Sequence, residues 1–288
     1  MSDDAAQADS PTRTVQDGYD RMASRYVEWA AEIDDPARER HTDALLERLL
    51  IGATLLDLGC GAGVPSTRRL AERCRVTGVD VSARQLQLAR GNVPAATFVH
   101  ADLMRVELPD ASFDAVTAFY VLAHIPREAL AEAFARVRRW LRPGGWFLAT
   151  LGAGDSPGST GEWLGVPMFF SSYAPDRNRE LLSAADFDLV VDEVVELEEP
   201  EGPATFHWVL VRRGGAGAAL GVRRLRRQTP GGTVTPFGAA LHESAGRPSA
   251  AVRALIRAPR VMPRAARRPS RSAASAPCGA PGRHRGAR

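Results

Sequence analysis

The residues of this chain best suited to chemistry are glycines and aspartates gathered around one short stretch. Residues 55–63 read LLDLGCGAG, so Asp57 is followed by Gly59, Gly61 and Gly63 in alternate positions. Glycine takes backbone angles that other residues refuse, and its missing side chain lets a ligand lie against the main chain. A turn of this kind after an apolar run reads as a strand end opened for something to sit on. Asp80 lies 21 residues after Gly59, and Asp102 closes the tripeptide HAD. A carboxylate at the first position can accept from both hydroxyls of a ribose. One at the second can accept from the exocyclic amine of adenine.

A dinucleotide fingerprint, G-x-G-x-x-G, needs its third glycine where this chain has Val64. The acids and the glycine turn therefore describe an adenosine with no pyrophosphate to cradle, which is S-adenosylmethionine rather than a nicotinamide dinucleotide. All 37 basic residues are arginines. Without lysine there is neither a phosphate-binding P-loop nor a pyridoxal Schiff base. Guanidinium-specific binding would explain that bias, but a GC-rich coding sequence explains it better.

The elements that must position these groups alternate. Strands are expected at 53–58, 75–81, 96–102, 112–122 and 146–152, and helices at 65–74, 82–92 and 127–141, with Ser82 as an N-cap. RPGG (142–145) should stop the last of these helices. Such alternation predicts an α/β, doubly wound and mostly parallel sheet covered on both faces, with ligands beyond the carboxyl ends of the strands. A further helix is expected at 175–186 and two strands at 187–199 and 204–213.

The composition changes near residue 213. Residues 214–288 hold fifteen arginines and one acid, a net charge of +14, whereas the preceding chain carries −11. The tail, rich in Ala, Gly, Pro, Ser and Arg, cannot bury enough apolar surface to offset its ordering entropy. It is expected to be disordered, with a transient helix at 249–258. It is either a read-through or out-of-frame extension or a basic arm for nucleic acid or an acidic partner. Residues 1–14 read as a disordered leader and 15–213 as the folded domain. The polar N-terminus is not a secretory signal, no run reaches the length of a membrane span, and three cysteines without metal-ligand spacing fit a reducing cytoplasm.

LDLGCGAG, GVDVS, HADLMRVELPDASFDAV and WLRPGG, in this order and at these spacings, resemble the class I S-adenosylmethionine-dependent methyltransferases. The resemblance runs from about Tyr19 to Arg213, and Gly165–Ser172 is similar to uncharacterised bacterial members. It implies a seven-stranded Rossmann-like sheet whose last strand is antiparallel. It also implies cofactor contacts from Asp57, Gly59, Cys60, Gly61, Gly63, Asp80, Val81, Gln85, Asp102, Leu103 and Phe119. DGYDRMASRYVEWA (17–30) resembles the family's lid helix, in which Tyr19 and Tyr26 close over the cofactor or simply pack. Asp186 stands where related sequences often have glycine.

Methyl transfer is an in-line displacement that needs a base only when the acceptor must lose a proton. His124 is the candidate base, or else a capping or packing histidine. Residues 152–175 are too long for a plain connection. Read as an acceptor lid, this loop offers Trp163, Met168, Phe169, Phe170 and Tyr173, joined by Tyr120; the alternative is a loop pinned to the core by its aromatics. AFYVLAHIP (118–126) lacks the amide-and-proline turn that holds a flipped base, so the expected acceptor is a small molecule. A nucleic-acid enzyme using the tail and a non-catalytic S-adenosylmethionine-binding protein are the alternatives.

Overall fold

The computed structural model describes residues 10–214. The first nine residues of the expected leader, and the tail beyond Gly214 with its transient helix, lie outside the described residues. Ser10 caps a helix, accepting from the Arg13 amide, and α1 (Pro11–Ala31) starts with proline at a position where no backbone donor is needed. Pro11–Thr14 therefore belong to the domain and not to a leader. Asp35 and Pro36 repeat the device for α2 (Pro36–Leu46), a helix not expected from the sequence.

Then follow β1 (Thr54–Leu58), α3 (Ser66–Ala71), β2 (Arg75–Asp80), α4 (Ala83–Asn92), β3 (Thr97–His100), β4 (Phe113–Ala118) and α5 (Leu130–Trp140). The chain continues through β5 (Leu141–Gly152), β6 (Ser156–Trp163), β7 (Val166–Ser172), α6 (Pro175–Ala184), β8 (Phe187–Glu199) and β9 (Gly202–Arg213). Seven strands form one sheet in the order β3-β2-β1-β4-β5-β9-β8. Its first five strands are parallel, and β9 runs antiparallel to both neighbours.

Alternation along the strands sorts the core. Leu55, Ala115, Leu148 and Leu210 face one side with Leu45 and Leu46 of α2 and Leu70 of α3. Leu56, Val116, Phe147 and Val209 face the other with Phe134, Val137 and Trp140 of α5. On α5 the buried residues are Leu130, Ala133, Phe134, Val137 and Trp140, the spacing of one helical face. RPGG does end this helix, but it lies inside β5 as a bulge, between the pairs Phe113–Leu141 and Ala115–Trp146.

Two departures bear on function. Residues 152–175 are not a loop: β6 and β7 form an antiparallel hairpin. Its turn is Leu164-Gly165, both with positive φ (48° and 72°), the turn that matches strand twist. Asp186 takes φ 58°, a left-handed position that aspartate tolerates better than most residues. Its carboxylate is paired with Arg138.

Candidate active site

Because β1, β2, β3 and β4 run parallel, their carboxyl ends meet at one edge of the sheet. A cavity lies there, open on one side to solvent. Its floor is Gly59, Gly61, Asp80, Val81, Asp102, Leu103 and Phe119, and α1 covers it with Thr12, Val15, Tyr19 and Tyr26. Gly59 has φ 65°, and a side chain there would strike Val121 at 2.5 Å. Gly61 has φ 53°; a side chain there would meet Gln85 Oε1 at 3.9 Å, and without one its bare backbone lines the cavity.

Asp80 is 9% exposed. One of its oxygens accepts the Gly61 amide and the other the Ser82 amide, each at 2.8 Å. Burial raises its carboxyl while these amides hold it down. Each oxygen keeps a second lone pair, enough for the two hydroxyls of a ribose. Asp102 accepts the Met104 amide on Oδ1 and leaves Oδ2 for a further donor, 3.8 Å from Arg105 Nε. The lid is fastened too: Asp20 of α1 accepts from Ser82 Oγ at 2.6 Å and from the Arg84 amide at 3.0 Å. The carboxylate thus sits at the positive end of α4.

Four expected cofactor contacts do not line this cavity. Asp57 shares the face of Leu55, two residues earlier on β1, and so points at α3. It accepts from Thr67 at 2.6 Å and Thr117 at 2.7 Å, and burial pushes its carboxyl up to about 6. Cys60 packs toward Gly78, and burial raises its thiol well above the usual range. Gly63 backs onto Val93 and Ala89 of α4. Gln85 lies just beneath the glycine turn, 1% exposed, with no partner for its amide among the described residues.

A second cavity adjoins the first and shares Tyr19, Tyr26, Tyr120 and His124 with it. Trp163 and Phe170 of the hairpin are in its wall, together with Trp29, Asp35, Arg38, Glu199 and Phe206, which the sequence did not single out. The other expected acceptor residues lie elsewhere. Met168 is fully buried, its Cε tight against Gly18 of α1. Phe169 packs over Gly158, and Tyr173 lies under the guanidinium of Arg127 at 4.7 Å.

Tyr120 stands between the cavities with φ 58°. It is held there by its amide on Thr150 Oγ1 and its hydroxyl on Asp35, both at 2.5 Å. That strain, about 1–2 kcal/mol for a non-glycine residue, aims the ring at the partition. His124 is the other half of the partition. Its Nδ1 lies 2.9 Å from the Phe169 carbonyl, which can only accept, so Nδ1 carries the hydrogen. In the neutral ring Nε2 is then an acceptor, and Tyr19 Oη, 2.9 Å away, donates to it. Burial pulls the imidazole down to about 4, keeping it neutral near pH 7.

Comparison with known proteins agrees with this geometry. A family model described as a methyltransferase domain matches residues 55–145. The 27-O-demethylrifamycin SV methyltransferase of Amycolatopsis mediterranei is 40% identical over 121 residues, covering 38% of this chain and 43% of that protein. The malonyl-acyl-carrier-protein O-methyltransferase of Enterobacter lignolyticus is 36% identical over 146 residues, covering 50% and 55%. The chain thus spans about half the length of these curated relatives. A solved structure, the 1,6-didemethyltoxoflavin N1-methyltransferase of Burkholderia thailandensis with 1,6-didemethyltoxoflavin and S-adenosylhomocysteine bound, superposes with a TM-score of 0.55. At 23% identity over 69% of this chain and 87% of that one, the likeness is one of fold. Among the described residues, no helix is long and apolar enough to cross a membrane.

Proposed function

We propose that the chain is a class I S-adenosylmethionine-dependent methyltransferase, which transfers a methyl group from S-adenosylmethionine in the first cavity to a small organic acceptor in the second. The observation that carries this reading is the convergence of Asp80, Asp102 and the bare Gly61 backbone on one cavity. Asp80 would hold the ribose and Asp102 the adenine amine, with Val81 and Leu103 against the ring. The backbone at Gly59 and Gly61 would lie along the methionine portion, with Tyr19 and Tyr26 excluding water above it. When bound, the cofactor supplies a methyl already activated by its sulfonium, so alignment and desolvation are the protein's main tasks.

His124 does not meet the acceptor alone, because Tyr19 occupies its Nε2. An acceptor that must lose a proton would give it to Tyr19 Oη while Tyr19 passes its own proton to His124 Nε2. The Phe169 carbonyl then receives the imidazolium's other N–H. The nucleic-acid alternative rests on the basic tail, which beyond Gly214 lies outside the described residues, and no observation on the described chain favours it.

Calorimetric titration of the full chain with S-adenosylhomocysteine tests the donor half. Binding in the micromolar range is expected. Asp80→Ala should weaken it at least about thirtyfold, the loss of two charge-assisted hydrogen bonds. Absence of binding by the folded wild-type protein overturns the reading.

A further inference from the structure

We infer that the second cavity takes a small organic ammonium, alkyl or aryl, with its charge facing Glu199 and its substituents against aromatic walls. The inference rests on reading that cavity as the acceptor site; the ammonium is the group that anchors the acceptor, and because its nitrogen has no lone pair the methyl goes to another nucleophilic atom of the same molecule.

Three charged residues line the cavity: Asp35, Arg38 and Glu199. Two of them cancel. Arg38 Nε lies 3.3 Å from Asp35, whose carboxylate also accepts from the Arg38 amide and from Tyr120 Oη. The neighbouring Glu201 is engaged by the Trp29 indole at 3.0 and 3.2 Å. Glu199, the last residue of β8, is partly buried and has no hydrogen-bond or ion-pair partner among the described residues. Burial, with the nearby Glu201 and Asp35 carboxylates, pushes its carboxyl up to about 7. A partly buried carboxylate with two like charges beside it is an uncompensated cost that a cation would relieve.

The walls suit the same ligand. Trp29 and Trp163 meet edge to face, with centroids 5.2 Å apart at 85°. Trp163 and Phe170 do so at 5.7 Å and 84°, and Tyr26 stacks along Trp29 at 5.8 Å. Aromatic rings lining a site of this kind attract an organic cation through their electron-rich faces. An anionic acceptor would meet Glu199 with no spare cation to offset it, because Arg38 is already paired. A neutral acceptor would leave Glu199 uncompensated.

The test compares two ligands of nearly the same shape, phenyltrimethylammonium and tert-butylbenzene, by tryptophan fluorescence and calorimetry on the full chain. S-adenosylhomocysteine binding is measured in parallel. The unaltered protein should bind the cation at least tenfold more tightly than the hydrocarbon. Glu199→Gln should remove that preference while leaving S-adenosylhomocysteine affinity within about twofold. Equal affinity for the two ligands in the wild-type protein, or a preference that survives Glu199→Gln, overturns the inference. The donor reading fails separately, by loss of S-adenosylhomocysteine binding in a protein that still prefers the cation.

Discussion

The two cavities are built by different means. The floor of the first is made largely of strand ends that follow one another between Gly59 and Ile125, and its polar contacts include bare glycine backbone and a carboxylate held by two amides. The second draws its walls from segments scattered between Tyr19 and Phe206, nearly all of them side chains. A site built on main chain needs particular residues at fixed spacings, because few residues accept φ 65° or tolerate a neighbour at 2.5 Å. A site built on side chains needs only that the right rings and charges arrive together, by whatever packing brings them.

The strongest way to break this contrast is Gly59→Val. It forces a β-branched residue into left-handed backbone and into Val121, at a cost of at least about 3 kcal/mol. S-adenosylhomocysteine binding should fall by more than about a hundredfold, measured by calorimetry beside circular dichroism. Phenyltrimethylammonium should still bind. Loss of both ligands by a folded variant would mean that the cavities are one site.

The partition itself gives the next effect. Folded His124 titrates near 4 against an ordinary value of 6.5. On acidification the unfolded chain therefore takes that proton first, and the contribution of neutral His124 is complete above pH 6.5 and is lost as pH falls toward 4. The size is about 3 kcal/mol. Asp57, raised to about 6, acts in the opposite direction over part of this window. The quantity to measure is therefore the difference in urea-unfolding free energy between wild type and His124→Gln at a series of pH values. That difference should shrink by about 3 kcal/mol between pH 6.5 and 4; a constant difference would mean that His124 is charged or exposed.

The smallest effect sharpens the contrast from the side the cavities share. Asp20→Ala removes the lid's attachment to Ser82 and the Arg84 amide, at a cost of about 1 kcal/mol. S-adenosylhomocysteine and phenyltrimethylammonium should both weaken, each by severalfold, because α1 walls both cavities. Weakening of the first alone would place the lid over the donor only.

The same contrast explains what could be read before the structure. The strand–helix alternation and the acids at strand ends are local patterns, and the sheet brings Asp80 and Asp102 to one edge; the reversal of the last strand, β9, was implied by the family resemblance. Asp57 belongs to the same motif, yet the two-residue period of β1 turns it away, onto Thr67 and Thr117. Gly18 drew no notice in the sequence, yet its missing side chain lets Met168 and the Pro167 carbonyl approach α1 closely. The hairpin was missed, and residues 152–175 read as a loop, because its turn signal, Leu164-Gly165, is short and β6 is poor in apolar residues. Glu199, Asp35 and Trp29 sit among ordinary charged and aromatic residues, and only packing across some 170 residues gives them a shared purpose.

The position of α1 also has a kinetic meaning. One helix closes two chambers, pinned by Asp20 at one cavity and by Tyr19 at the partition. If α1 must lift before either cavity can empty, both occupants share a single door. Stopped-flow release of S-adenosylhomocysteine and of a bound ammonium should then show one common rate, slower than either small ligand's escape from an open cleft. Traffic through that door, and not the displacement at carbon, would set the ceiling on turnover.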